Sequence, residues 1–278
     1  MNTLTLMDGG RIQQAEGATV AALDVSSLTI SGNNNSIALP NATATFNQMT
    51  VDGALNLDVA TLKGSIGVND GGRLAVGTIT NTGDLTVKAG GNLTIGTKIT
   101  NDGNLTLESN STVTALLSGV DLSSGTVTVI DGTGTLDNKS ELSKNGIYDI
   151  SWVLDDNDVK TGNINVKTKS AEQIVSDINV SEQQAGTVAA ILPTIIGSGS
   201  APASTPIAQI ASALGTALEL QDSQTVAQIA EDLAPSTAPV VSSVSQGVNN
   251  AIAGVANARM AANRAAGDVF TGGSAWVH

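Results

Sequence analysis

The sequence predicts an all-β solenoid followed by a mostly α-helical C-terminal segment. Short units of the form turn, apolar, Thr, apolar return about every 20 residues in the first half, which is typical of stacked coils. After Lys169 they give way to helix-capping patterns with helical periodicity. Aromatic residues make up only 2% of the 278 residues, whereas 30 are Gly. A core of small branched side chains suits thin, stacked strand layers better than a compact globule.

The repeat is visible as direct self-similarity. The segment 80–87 (TNTGDLTV) returns as 100–107 (TNDGNLTL), a shift of 20 in the numbering. The segment 28–32 (LTISG) returns as 49–53 (MTVDG), a shift of 21. A near-constant period of this kind predicts a chain that wraps into coils, each stacked on the one before.

More distant matches extend the pattern. The segment 8–12 (DGGRI) returns as 70–74 (DGGRL), a shift of 62 or about three periods, and 90–95 (GGNLTI) gives another unit. Alternation places the two apolar side chains of a unit on one face and the Thr on the other. Gly and Asn mark the corners because they tolerate positive φ best. Stacked coils would form apolar ladders inside and let equivalent Asn or Thr residues hydrogen-bond along the axis.

Residues 1–138 are therefore predicted to form six or seven coils of about 20 residues, a rod of about 30 Å at a strand spacing of about 4.8 Å. An antiparallel sandwich is the competing architecture, because Asn-Gly and Asp-Gly signals also mark hairpins. The fixed period favours the solenoid.

Residues 139–169 are predicted to form a β-hairpin that covers the open end of the rod. Two alternating segments flank the acidic turn at 155–158 (DDND), and they carry the only Tyr and one of the two Trp, Tyr148 and Trp152. Large side chains suit an element that closes a thin core. The acidic turn has oxygens for calcium but lacks the spacing of a known calcium loop, so a solvated turn is the preferred interpretation.

Residues 170–237 are predicted to form short helices and a linker. Ser170 and Ser181 are each followed three residues later by Gln, which is the pattern of a capping box. The second of these helices is predicted to end before Pro193, ahead of a loop over 196–206.

Two further helices are predicted in the same region. Thr205 is placed as a cap and Pro206 as the first helical residue of one helix, with apolar residues on one face. Asp222 is placed as the cap of the next, in which Val226, Ile229, Ala230 and Leu233 share a face.

Residues 238–270 are predicted to form a long, slender helix. It has no apolar run long enough for a lipid-facing span. At about 1.5 Å per residue its part 238–266 alone reaches about 40 Å, enough to cross an outer membrane. Such a helix suits the water-filled lumen of a barrel, and a surface or interdomain helix is the alternative. Its polar positions include Asn249, Asn250, Arg259 and Arg264.

Composition argues against several function classes. The formal net charge of −13 and the absence of a basic stripe argue against nucleic acid as a partner. Without Cys there is no disulfide or thiol chemistry. The one His is His278, so a Ser-His-Asp triad is not credible. The Asp residues mostly stand beside Gly in turns, where backbone geometry favours them. The prediction is a protein that is not an enzyme, with no cofactor or metal.

The N-terminus lacks the charged region and apolar run of a signal peptide, and strand-like alternation begins at once. Terminal coils of a solenoid normally carry a polar cap. We therefore expect the leading part of a longer protein to precede residue 1.

The order of these parts resembles the type V autotransporters of Gram-negative bacteria. The resemblance covers nearly the whole chain: coils, the hairpin with Tyr148 and Trp152, the helix at 180–192 (VSEQQAGTVAAIL), and the run GGSAWV at 272–277. It implies that the solenoid is a right-handed parallel β-helix passenger and that residues 139–169 are an autochaperone-like cap. It also implies that residues 238–270 thread a 12-stranded translocator barrel, whose first strand begins at 271–278.

The same resemblance implies function, partners and location. The expected function is a non-enzymatic passenger stalk that supports adhesion or aggregation at the cell surface or outer membrane, or after secretion. The expected partners are its own translocator barrel, the barrel-assembly machinery, and host or neighbouring-cell surface molecules. A surface glycan-binding or carbohydrate-active β-helix protein is the alternative.

Some autotransporters cleave themselves between two Asn residues inside the barrel, and Asn249–Asn250 resembles that site. The residues that follow depart from the motif of that subfamily. Two polar helix positions without a cleavage role are the alternative.

Overall fold

The structure, a computed structural model, describes residues 3–117, 120–177, 180–197 and 206–233. This part of the chain is mostly β, and its main body is a parallel β-solenoid of about six turns. The solenoid strands are β1 (Thr3–Leu6), β2 (Arg11–Gln13), β3 (Ala22–Ile30), β4 (Asn35–Val51), β5 (Ala54–Val68), β6 (Arg73–Asn81), β7 (Asp84–Val87), β8 (Asn92–Asn101), β9 (Asn104–Leu107), β10 (Thr112–Ala115), β12 (Ile130–Asp131), β13 (Thr135–Asn138) and β14 (Glu141–Leu142).

A second sheet and four short helices complete the described part of the chain. The second sheet contains β11 (Thr126–Thr128), β15 (Tyr148–Leu154) and β16 (Lys160–Thr168), in the order β11-β16-β15 with antiparallel pairing. The helices are α1 (Ala171–Asp177), α2 (Glu182–Gly197), α3 (Pro206–Glu219) and α4 (Ser223–Leu233).

The strand register confirms the sequence repeat. Leu85 lies beside Leu105 in the β7–β9 pair, and Leu28 lies beside Met49 in the β3–β4 pair, as the shifts of 20 and 21 predicted. Parallel pairing throughout this sheet excludes the antiparallel sandwich.

The third match is displaced. Ile12 is stacked through Ile37 and Leu57 onto Val76, three coils away. The predicted equivalent was Leu74, which stands two positions earlier in the chain. Because side chains alternate with a period of two, the displacement leaves the apolar face inward.

The interior is a set of apolar ladders that run along the solenoid axis. In one column each side chain is only 1% exposed: Leu28, Met49, Ile66, Leu85 and Leu105. Burying one such side chain contributes about 1.5–3 kcal/mol. Stacked small apolar residues therefore supply the core that aromatic side chains supply in a compact globule.

Two asparagines are stacked inside the core and are hydrogen-bonded to each other. Asn81 and Asn101 are 0% and 2% exposed, and Asn81 Nδ2 donates to Asn101 Oδ1 at 2.8 Å. Asn101 Nδ2 in turn donates to the Thr135 carbonyl oxygen at 2.8 Å. The predicted hydrogen bonding along the axis is therefore present, and it connects three successive coils.

A column of glycines lets the backbone turns approach closely. At Gly83 an added Cβ would overlap the carbonyl oxygen of Gly64, and at Gly103 that of Gly83. The same holds for Gly134 against Gly103. Any side chain in this column would separate adjacent coils.

The last turn departs from the regular period. From β7 to β9 the register advances by 20 (104 − 84), but from β9 to β13 it advances by 31 (135 − 104). The additional chain lies between β10 and β12, and it contains β11, which joins the hairpin sheet. The last coil and the hairpin are therefore built from interleaved segments.

The helical caps match the sequence. The Gln173 side chain accepts from Ser170 N at 3.0 Å while Ser170 Oγ accepts from Gln173 N at 3.3 Å. The Ser181–Gln184 pair repeats this exchange. Asp222 Oδ1 accepts from Thr225 N at 3.0 Å at the start of α4.

The predicted end of the second helix before Pro193 is wrong, because α2 continues to Gly197. A proline inside a helix removes one backbone donor and bends the helix at a cost of about 3 kcal/mol. α2 also contacts α3 and α4. Residues 198–205, with the predicted cap Thr205, and residues 234–278 lie outside the described part of the chain.

Candidate functional site: the cap on the last coil

Tyr148 and Trp152 lie on β15, and both are 8% exposed. Between them Asp149 and Ser151 are exposed, so alternation directs the two aromatic rings to the buried face. Trp152 lies opposite Ile164, which also lies opposite Val127 on β11. These three side chains form a buried row across the hairpin sheet.

The hairpin sheet is tied to the last coil through strand β16. Val129 N donates to the Gly162 carbonyl at 3.0 Å, and Asn138 Nδ2 donates to the Thr161 carbonyl at 3.2 Å. A Cβ at Gly162 would overlap the carbonyl oxygen of Ile130, so the backbones touch there. The hairpin sheet is thus bonded to the strands of the last coil.

A lysine completes this attachment. Lys160 Nζ donates to the Ser140 carbonyl at 2.6 Å, and Ser140 itself is fully buried. The Ser140 hydroxyl donates to Asn138 Oδ1 at 2.7 Å. The Ser140 carbonyl at the edge of the last coil is therefore bonded to a residue of the hairpin sheet.

Trp152 has one unusual feature. Its indole N–H is buried and has no hydrogen-bond partner among the described residues. A buried, unpaired donor costs about 1–3 kcal/mol. The large apolar area of the ring outweighs this cost.

A buried loop follows the last coil. Asn145 is 4% exposed, and its Oδ1 accepts from the backbone N–H groups of Ile147 at 2.9 Å and Tyr148 at 3.0 Å. Lys169 Nζ donates to the Asn145 carbonyl at 2.9 Å and to Asp177 Oδ2 at 2.7 Å. The asparagine shapes the entry to β15, and the lysine joins this loop to α1.

The end of α3 is docked on the same loop. The Glu219 backbone carbonyl accepts from Gly146 N at 3.3 Å. The buried side-chain carboxylate of Glu219 accepts from Leu117 N, also at 3.3 Å. Burial raises the pKa of the Tyr148 phenol above its ordinary value, and the nearby negative charge of Glu219 raises it further. The helix, the hairpin and the last coil therefore meet at one buried junction.

A surface cleft of about 480 Å³ opens beside this junction. Its charged lining includes Lys144, Asp149, Lys169 and Asp177. Two of these four charged side chains neutralise each other, because Lys169 forms an ion pair with Asp177.

The acidic turn between β15 and β16 is organised by its first residue. Asp155 Oδ1 accepts from Asn157 N at 2.8 Å and Val159 N at 2.9 Å, and these bonds lower the pKa of Asp155. They account for the Asp on backbone grounds. Across the described ranges, no group of three His, Cys, Asp or Glu side chains is placed to hold a metal ion.

The remaining predicted site residues, Asn249, Asn250, Arg259 and Arg264, lie outside the described residues, as do the predicted helix at 238–270 and the strand start at 271–278. Of the helices that are described, none combines the length and apolarity needed to cross a membrane.

The structure places Tyr148 and Trp152, which the sequence singled out, as buried residues of β15. Sequence reasoning missed strand β11 and the docking of α3 on this region. The spacing of the repeats contained a signal for β11. The unit that begins at Asn104 next returns only at Thr135, so about half a period of additional chain stands between these two units. The docking of Glu219 on Leu117 joins segments far apart in the sequence and leaves no local pattern.

Comparisons with protein-family models, with curated proteins and with solved structures give no significant match for this chain.

Proposed function

We propose that this chain is the membrane-proximal base of a non-enzymatic autotransporter passenger, a right-handed β-helix stalk exported through its own outer-membrane barrel. In this role the stalk is displayed at, or released from, the cell surface and supports adhesion or aggregation. The observation that carries the proposal is the cap: one end of a six-turn solenoid is closed by a separate sheet and by the end of a helix.

The cap gives the proposal a folding mechanism. Each coil of a solenoid contacts only its neighbours, so a folded coil is a template for the next. The first coil to fold lacks such a template. The bonds from Val129 to Gly162 and from Lys160 to Ser140 let the hairpin supply it. Coils that fold outside the cell cannot slide back through a pore, so folding biases the movement outward.

The location can be tested with the native protein in its own cells. Antibody raised against residues 3–117 should label intact, unpermeabilised cells or the culture medium, and added protease should remove the cell-bound label. An abundant cytoplasmic protein probed in parallel controls for lysis. Label that appears only after the cells are permeabilised would contradict the proposal.

A second candidate is that the rod is a binding surface in its own right. On one flat face the outward column contains Thr29, Thr50, Thr86 and Thr106, with Gly67 between the second and the third. Replacing these Thr residues by Val keeps their shape and removes their hydroxyls. Loss of cell aggregation or of glycan-array binding, with display unchanged, would favour this second function.

A further inference from the structure

The loop under the cap contains Asn145–Gly146, the one Asn-Gly pair in the sequence. An Asn followed by Gly is chemically reactive, because no Cβ hinders attack of the Gly amide nitrogen on the Asn side chain. This pair is fully buried, which is unusual for an Asn-Gly turn.

Three contacts hold the pair in an unreactive arrangement. The Asn145 carboxamide oxygen is fixed by the N–H groups of Ile147 and Tyr148. The Gly146 N–H, whose nitrogen would be the nucleophile, donates to the carbonyl of Glu219 in α3. The Gly146 backbone is also packed against the Leu218 carbonyl so closely that no Cβ would fit. Ring closure requires this peptide to rotate, and the docked helix occupies the space.

A fourth contact increases the intrinsic reactivity of the pair. Lys169 Nζ donates to the carbonyl oxygen of Asn145 at 2.9 Å, and this oxygen belongs to the same peptide group as the Gly146 nitrogen. The positive charge of Lys169, hydrogen-bonded to that oxygen, stabilises the deprotonated form of the amide. The site thus combines an activated nucleophile with a removable steric block.

We propose that Asn145 is a modification site that α3 controls: while α3 is docked the residue stays intact, and when α3 leaves it undergoes deamidation. The Gly146 nitrogen loses its proton and bonds to Cγ of Asn145. The carboxamide C–N bond breaks, ammonia leaves with that proton, and a succinimide ring remains. Water then opens one ring C–N bond and gives aspartate or isoaspartate, without any change of oxidation state.

The isoaspartate product would prevent α3 from docking again. Isoaspartate inserts an extra backbone atom between Lys144 and Gly146, and this changes the loop in which Gly146 contacts Leu218 and Glu219. Undocking of α3 would therefore lead to an irreversible covalent change in the chain.

The test is peptide mass mapping of the full chain during incubation at mildly alkaline pH. Native wild-type protein should convert Asn145 slowly, and the same protein in concentrated urea should convert it quickly. Leu218→Ala removes a side chain that is 1% exposed at the docked end of α3. It should speed conversion at least about tenfold, because truncating a buried leucine costs more than the free energy that corresponds to a factor of ten.

Leu220→Ala is the matched control, since Leu220 is 47% exposed two positions further on, and its rate should equal that of the wild type. Circular dichroism reports whether the solenoid stays folded in each variant. If Leu218→Ala unfolds it, Glu219→Ala takes its place, because it removes the carboxylate contact with Leu117. A native rate equal to the rate in urea, or equal rates in the docking variant and Leu220→Ala, would overturn the proposal. Absence of conversion in urea would do so as well.

Discussion

The side-chain amide of Asn81 donates a 2.8 Å hydrogen bond to the side-chain oxygen of Asn101, its equivalent one coil further along the solenoid. Both side chains are buried in a core made mostly of apolar residues. Polar groups in such a core are tolerated only when they are satisfied. The pair therefore fixes which coil stacks on which, in addition to adding stability.

Replacing Asn101 by Ala should destabilise the solenoid by about 1–3 kcal/mol, because the Thr135 carbonyl loses its donor and Asn81 loses its acceptor. The measurement is the midpoint of urea unfolding followed by circular dichroism. Thr86→Ala, on the outward face of the neighbouring strand stack, is the control and should change the free energy of unfolding by less than about 0.5 kcal/mol. Equal effects of the two substitutions would contradict the role given to the asparagine stack.

The glycine column makes a second prediction. Gly103→Ala should cost about 1–3 kcal/mol, because the new Cβ would overlap the Gly83 carbonyl and push two coils apart. Gly77→Ala is the matched control, since nothing lies within 4 Å of a Cβ at that position. Thermal unfolding of the two variants, side by side, separates the close-approach argument from a general effect of removing glycine.

The solenoid was predictable from the sequence, because each coil repeats the same local pattern. Leu-Thr-Val and Leu-Thr-Leu units at a fixed spacing determine both the inward face and the stacking partner, as the Leu85–Leu105 pairing shows. Tyr148 and Trp152 could be singled out because they stand out against an aromatic-poor chain, and the structure buries both on β15.

The rest of the cap was not predictable, because it depends on contacts between distant segments. β11 is a very short strand, and its pairing with β16 joins Thr126 to Asn165, far along the chain. The docking of α3 depends on the absence of a Cβ at Gly146 and on one buried carboxylate. α2 also continues through Pro193, against the local preference of proline.

The third prediction concerns the ionisation of the Tyr148 phenol. It is easy to measure because Tyr148 is the only Tyr in the chain. Its pKa in the folded protein is raised above the ordinary value of 10.0 by burial and by Glu219. The stability contributed by the neutral phenol is therefore fully present below pH 10 and is lost as the pH rises through the folded-state pKa. The near-ultraviolet absorbance of tyrosinate should titrate later in native protein than in urea.

Glu219→Gln separates the two causes of that shift. Removing the negative charge should lower the pKa of Tyr148 in the native protein part of the way toward its value in urea. The rest of the increase should remain, because the phenol is still buried. Tyr148→Phe should abolish the absorbance change and the associated loss of stability above pH 10. A native titration at or below the value in urea would show that Tyr148 is exposed and the cap open.

Trp152 makes a fourth prediction about local stability. Trp152→Ala should cost about 3–5 kcal/mol in the free energy of unfolding of the hairpin sheet. Hydrogen exchange should quicken in β11 and β16 and at Val129, which donates to Gly162, and should change little in β4 and β5. Uniform acceleration along the whole solenoid would mean that the cap is not a separate unit.

Surface display of the complete native protein tests most directly whether the cap starts folding of the exported solenoid. The variant carries Tyr148→Ser with Trp152→Ser, and the control carries Asp149→Asn with Ser151→Ala at exposed positions of the same strand. We expect the control to be displayed at the wild-type level, whereas the cap variant should stall with its solenoid sensitive to protease. Display of the cap variant at the wild-type level, with a protease-resistant solenoid, would show that the cap is not needed to start folding.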